Sequence, residues 1–123
     1  MASPGLGRLK KGPEFDGVYG EGTVLNGPLF VLRARANEVG RDRWGFAVGK
    51  KLAPKAVERN LVRRRLREAA RAVEAGVPGP DRSERVGADF ILTAKAPCLG
   101  APLSAIAIEV SRLVVRARAG LGP

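Results

Sequence analysis

The chain has no histidine at all, one cysteine (Cys98), and no second thiol anywhere in its 123 residues. Without imidazole it lacks the one side chain whose ordinary pKa suits acid–base catalysis near neutrality. With a single thiol it can form no internal disulfide, and the common zinc-ligand spacings cannot be built. A reducing, cytoplasmic setting without structural zinc is the expectation.

Hydroxyl nucleophiles are also scarce: Ser3, Thr23, Ser83, Thr93, Ser104 and Ser111 are the full set. None falls in a strand-to-helix elbow beside a base. Cys98 follows a proline in a loop, with no basic neighbour nearer than Lys95. The acids that lie close together, Asp16 with Glu14 or Glu21 and Asp81 with Glu84, sit in loop-like contexts that suit solvent better than Mg²⁺. No catalytic residue and no metal ligand is expected.

Long apolar runs are missing too. The most apolar stretch, "PLSAIAIEVSRLVV" (102–115), is short and broken by Glu109 and Arg112, so it cannot span a bilayer, and no membrane partner is expected. Arg8, Lys10 and Lys11 have no apolar segment behind them, as a signal peptide would need.

What the chain has is positive charge: 22 basic residues against 12 acidic ones, a formal net charge of +10, with Arg far more frequent than Lys. Such a balance favours polyanionic partners. Hydrophobic residues make up 45%, which excludes a disordered basic tail. One domain over 8–119 is expected, with frayed tails at 1–7 and 120–123.

The periodicity predicts a short, glycine-weakened helix within "RLKKGPEFDGVYGEG" (8–22), with Phe15 and Tyr19 on one side. "PLFVLRARA" (28–36) alternates as a strand, and "RWGFAVGKK" (43–51) sets Trp44, Phe46 and Val48 against the small Gly45, Ala47 and Gly49, where something must approach closely. Trp44 is assigned to the core. "NEVGRD" (37–42), with Gly40 in the left-handed position, reads as the turn of a hairpin between these strands.

A long helix is predicted from about Pro54 to Ala75, ended by Gly76 and Pro78. After a polar loop (77–87) come a strand, "ADFILTAK" (88–95), and a closing helix over about 102–119 whose apolar stripe is Leu103, Ile106, Val110, Leu113, Val114 and Ala117. The class is α+β: a sheet layered with helices.

The long helix carries the functional signal. Residues 50–71, "KKLAPKAVERNLVRRRLREAAR", hold nine Lys or Arg against two Glu. Val62, Leu66, Ala69, Ala70 and Val73 fall within an arc of about 100° fit to dock on a sheet. Beside it Asn60, Arg63, Arg67 and Arg71 form a polar stripe flanked by Arg59 and Arg64, while Arg65 projects elsewhere and should matter less.

Like charges one turn apart, such as Arg59 with Arg63 and Arg63 with Arg67, each cost a few tenths of a kcal/mol. An anion that relieves the repulsion explains the stripe, and phosphates are the natural one. Lys50 and Lys51 would extend this surface. A ribosomal protein and a general nucleic-acid-binding module compete as readings.

In order and spacing, "FAVGKK" followed by "VERNLVRRRLREA" resembles the signature of the bacterial ribonuclease P protein component. Its core stands here as Arg59-Asn60, Arg63-Arg64 and Arg67-Glu68. "RLKKGPEFDGVYGEG" resembles the family's opening, with Phe15 and Tyr19 at its aromatic positions, and "ADFILTAK" its late strand, so the likeness covers most of 8–117. Departures are Leu61 where many relatives have a third basic residue, Arg33 where an aromatic is frequent, and Pro54-Lys55 at the helix start.

The resemblance implies a small sheet of about four strands and a left-handed βαβ crossover over the basic helix. It implies a protein that binds a large catalytic RNA and precursor tRNA, needs no protein partner, and assists removal of the 5′ leader while the RNA performs the hydrolysis. No cofactor is then expected on the protein alone, and Mg²⁺ is expected in the RNA-containing holoenzyme. Lys50, Lys51, Arg59, Asn60, Arg63, Arg64, Arg67 and Arg71 would face RNA, and Phe15, Tyr19, Phe30 and Arg33 would line the leader cleft.

Overall fold

The computed structural model describes residues 7–10, 12–75 and 87–120. The polar loop, Gly76 and Pro78 lie outside these residues, as do most of the expected tails. In chain order come helix α1 (Pro13–Glu21), strands β1 (Thr23–Asn26), β2 (Phe30–Ala36) and β3 (Arg43–Ala47), and helix α2 (Ala56–Ala75). Strand β4 (Ala88–Ala94), a 3-10 turn (Ala96–Gly100) and helix α3 (Leu103–Gly120) complete the order.

The strands form one mixed sheet in the order β1-β2-β4-β3. β2 runs antiparallel to β1 and to β4, and β3 runs parallel to β4 with α2 crossing between them.

The expected hairpin between β2 and β3 does not form, because β4 lies between them. Every residue of β4 except Thr93 is buried. A strand that is apolar on both sides belongs in the middle of a sheet. The 37–42 segment still turns as expected: Gly40 has φ +83°, and Asn37 Oδ1 accepts Val39 N–H at 3.0 Å. The hairpin that does form is β1–β2, where Gly27 N–H donates to Phe30 O at 3.0 Å.

One face of the sheet holds the main core. Phe30, Leu32, Ala34, Trp44, Phe90 and Leu92 pack there against Val62, Leu66, Ala69 and Ala70 of α2 and Ile106, Val110, Leu113, Val114 and Ala117 of α3. These are the stripes that the helical periods give, except that Leu103 is 40% exposed. Burying each large apolar side chain stabilises the fold by about 1.5–3 kcal/mol.

On the other face α1 covers half the sheet, with Leu9, Phe15, Val18 and Ile91 as a small second cluster. Gly45 accounts for the close approach foreseen there, since a Cβ at this position would overlap the Phe15 ring. Gly17, which weakens α1 as a helix, leaves room in the same way for the Arg35 guanidinium.

Two buried acids hold chain segments in place. Asp89 takes Arg43 at 2.7 and 2.8 Å and Asn37 at 2.8 Å, while Arg43 also meets Glu14 of α1 at 3.3 Å. Hydrogen bonds from Arg43 and Asn37 outweigh the upward push of burial and hold the Asp89 carboxyl below its usual pKa. Glu109 of α3 accepts the Leu29 and Phe30 N–H groups at 2.9 and 3.3 Å and so fixes the start of β2.

Candidate nucleic-acid interface

Helix α2 lies with its apolar stripe on the core and its arginines outside. Arg63 Nη1 donates to Asn60 Oδ1 at 3.0 Å, which ties the amide to the stripe. The Arg67 guanidinium stands 5.7 Å from the centroid of Phe46, a half-buried ring near the sheet edge. Arg64 pairs with Glu68 at 3.7 Å across one helical turn. Among the described residues Arg63, Arg67 and Arg71 make no ion pair, so the face stays cationic.

Lys50 and Lys51 are exposed in the turn that leads to α2. Arg59 is turned inward, where its Nη1 donates to Ala53 O at 2.9 Å and Pro54 O at 2.8 Å. It therefore braces the start of the helix as well as bordering the stripe. Arg65 leaves the stripe, as its helical angle requires, and reaches Ala101 O at 3.4 Å.

The second surface is the half of the sheet that α1 leaves open. Register places Val24 and Asn26 of β1 beside Arg33 and Val31 of β2, and Thr93 of β4 beside Ala47 of β3. These side chains form a shallow floor, and Tyr19 of α1, 46% exposed, stands over it. Phe15 and Tyr19 lie 6.3 Å apart between ring centroids, with Phe15 wedged toward Gly45 and Tyr19 at the rim. The Arg33 guanidinium lies 4.8 Å from the Tyr19 ring centroid, and its Nη1 donates to Thr93 Oγ1 at 3.4 Å.

Phe30 does not belong to this cleft. It projects from the core side of β2 and is 0% exposed beneath α3, so no base can reach it. The strand's alternation places Phe30 with Leu32 and Ala34, opposite Arg33. Asn26, Thr93 and Lys95 are the cleft residues that sequence reasoning missed. Lys95 Nζ donates to Asn26 Oδ1 and to Gly27 O and closes the far edge.

Cys98 is buried, and that burial together with the charge of Glu109 pushes its thiol pKa up, which makes it a poor nucleophile. No group of three His, Cys, Asp or Glu among the described residues could hold a metal ion. No helix among them is long and apolar enough to cross a membrane.

Fold and surfaces together define a small basic α+β protein with an arginine face on the helix that covers one side of its sheet and an open cleft on the other side. A family model described as Ribonuclease P matches residues 4–118. The chain is 40% identical over 89 residues to the ribonuclease P protein component of Ralstonia pickettii, covering 72% of this chain and 64% of that protein. It is 39% identical over 118 residues to that of Burkholderia pseudomallei, covering 94% and 85%.

Among solved structures, the Staphylococcus aureus RNase P protein superposes with a TM-score of 0.69 at 26% identity, covering 89% of this chain and 95% of that one. The RNase P protein from Thermotoga maritima shares the fold with a TM-score of 0.74 at 24% identity, covering 89% and 96%. The chain belongs to the ribonuclease P protein family, the RNA-binding protein components of a tRNA-processing endoribonuclease.

Proposed function

We propose that this chain binds the ribonuclease P RNA through the outer face of α2 and takes the 5′ leader of precursor tRNA across the cleft beside α1. The observation that carries the reading is the set Arg63, Arg67 and Arg71, which finds no acid partner among the described residues and is suited to phosphates. Lys50 and Lys51 add charge in the turn before the start of the helix, and Asn60 fixes the direction of Arg63.

In the cleft, Tyr19 offers a ring for a base to stack on and Arg33 a cation beside it. The protein's task in this reading is placement: it neutralises phosphates, holds the leader in line and leaves the scissile bond to the RNA. Mg²⁺, expected with the RNA and not on this chain, would supply Lewis-acid chemistry for the hydrolysis. No further protein is needed, and the work belongs to the cytoplasm.

The test mixes the purified chain with a bacterial ribonuclease P RNA at low Mg²⁺ and a leader-bearing precursor tRNA. Cleavage at the mature 5′ end in the mixture, and not with the chain alone, is the expected result. Cleavage by the chain alone would mean that the protein holds an active site, and an inert mixture would discard the holoenzyme reading.

A further inference from the structure

Arg33 is the one cation on the floor of the cleft whose guanidinium is held on two sides by neutral groups. Its carbon lies 4.8 Å from the Tyr19 ring centroid, and Nη1 donates to Thr93 Oγ1 at 3.4 Å. No carboxylate among the described residues pairs with it, whereas its neighbour Arg35 is spent on Glu21 and Asp89, each at 3.5 Å. Arg33 is thus positioned, uncompensated and half-buried, a combination that suits an incoming ligand.

We propose that Arg33 selects a guanine in the single strand that crosses this cleft, an inference that rests on the leader reading above. The floor around it is small and otherwise uncharged, with Val24, Val31 and Ala47 open between the strands beside the neutral Asn26 and Thr93. Such a floor takes the bases, and it turns the phosphates outward to solvent. A guanidinium rooted in the floor therefore meets base edges.

Arginine has donors only, so it needs two neighbouring acceptors in one plane. Guanine offers N7 and O6 side by side, the commonest specific arginine contact in nucleic acids. Adenine sets an amino donor beside N7, and uracil separates its two carbonyls with an N–H. Cytosine has an acceptor pair on a single ring, but the double ring of guanine covers more of the Tyr19–Arg33 pair.

The test uses the reconstituted holoenzyme and precursor tRNAs whose adenine-rich leaders carry one guanine, placed at each position in turn. One register should bind about tenfold tighter than its adenine counterpart, in line with the worth of a bidentate pair. At that register inosine, which keeps N7 and O6, should retain the advantage, and 7-deazaguanine, which lacks N7, should lose it.

Arg33→Gln, checked for an unchanged melting curve, should erase the difference between guanine and adenine. The base analogues test the same contact with the protein unaltered. No preferred register, a preference for cytosine, or a guanine preference that survives Arg33→Gln overturns the proposal while leaving the leader reading intact. Equal affinity of the wild-type holoenzyme for leader-bearing and mature tRNA overturns both.

Discussion

Arg43 grips Asp89 with two prongs, Nε to Oδ1 at 2.7 Å and Nη2 to Oδ2 at 2.8 Å, on the side of the sheet that faces α1. The same guanidinium reaches Glu14 at 3.3 Å, so one side chain joins the buried strand to the helix that carries Tyr19. Asp89 is fully buried, and removing it leaves Arg43 without its main counter-charge.

Asp89→Ala should therefore destabilise the fold by about 3–5 kcal/mol, as loss of one partner of a buried pair does. Urea unfolding measures it. The folded pKa of Asp89 is depressed, so its stabilisation is complete above the ordinary carboxyl pKa of 3.8 and is lost as pH falls through the lower folded value. Acid unfolding of the wild type should begin below about pH 4.

Glu74 works in the opposite sense. Burial and the neighbouring Asp42 carboxylate push its pKa up from 4.5 to about 7, against the pull of Trp44 and Arg118. Between those values the folded chain binds a proton that the unfolded chain has released. Stability should fall as pH rises through this window, by up to about 3 kcal/mol. Trp44 Nε1 donates to Glu74 Oε1 at 3.0 Å and is the only tryptophan, so its emission should shift over the same range. Melts and fluorescence from pH 4.5 to 8 should show both trends in the wild type and neither in Glu74→Gln.

Arg63→Ala and Arg67→Ala should each weaken binding of the RNA subunit and lower its salt slope by about 0.7–0.9 log units per lost phosphate contact. Filter binding across a KCl series reads this directly. Arg65→Ala, whose side chain is engaged at Ala101 O, should leave the slope nearly unchanged. A larger effect at Arg65 than at Arg63 would place the RNA on the wrong side of the helix.

Tyr19→Ala should reduce the holoenzyme's preference for leader-bearing over mature tRNA by roughly 1–3 kcal/mol, the worth of one stacked base. With 46% of Tyr19 exposed, thermal stability should change little. A strongly lowered melting temperature would make the ring structural.

Gly45→Val should cost about 1–3 kcal/mol, because the added side chain must displace the Phe15 ring and lift α1. The loss of leader preference should exceed the loss of RNA-subunit affinity, since α2 packs on the opposite face. Comparing the two affinities in one variant checks it.

The three helices and the two faces of β2 were legible because burial imprints a period on local sequence. Strand order was not. Pairing depends on partners more than 50 residues apart in sequence, such as Arg35 and Asp89. β1 left no mark because its four residues are mostly exposed and show no alternation. The α2 stripe could be read from helical angles alone, whereas Asn26, Thr93 and Lys95 become neighbours of Arg33 or of one another only through sheet register. Phe30 misled because an aromatic suggests stacking, yet its place in the alternation already put it opposite Arg33. Asp89 and Glu109 carry no sequence signal of their own, because the groups that they hold are brought to them only by the fold.

The order β1-β2-β4-β3 also has a consequence in time. As the chain leaves the ribosome, the arginine-rich helix α2 and three of the four strands emerge before the strand that joins them. Until residues 88–94 arrive, β2 and β3 have no common partner, and the cleft floor lacks Thr93 and any link between the β1–β2 hairpin and Ala47. The nascent chain thus displays its arginines on a helix that has no sheet to pack on, and the cleft is joined up only afterwards. Two fragments divided between α2 and β4 should be inert separately and regain the cleft only on association.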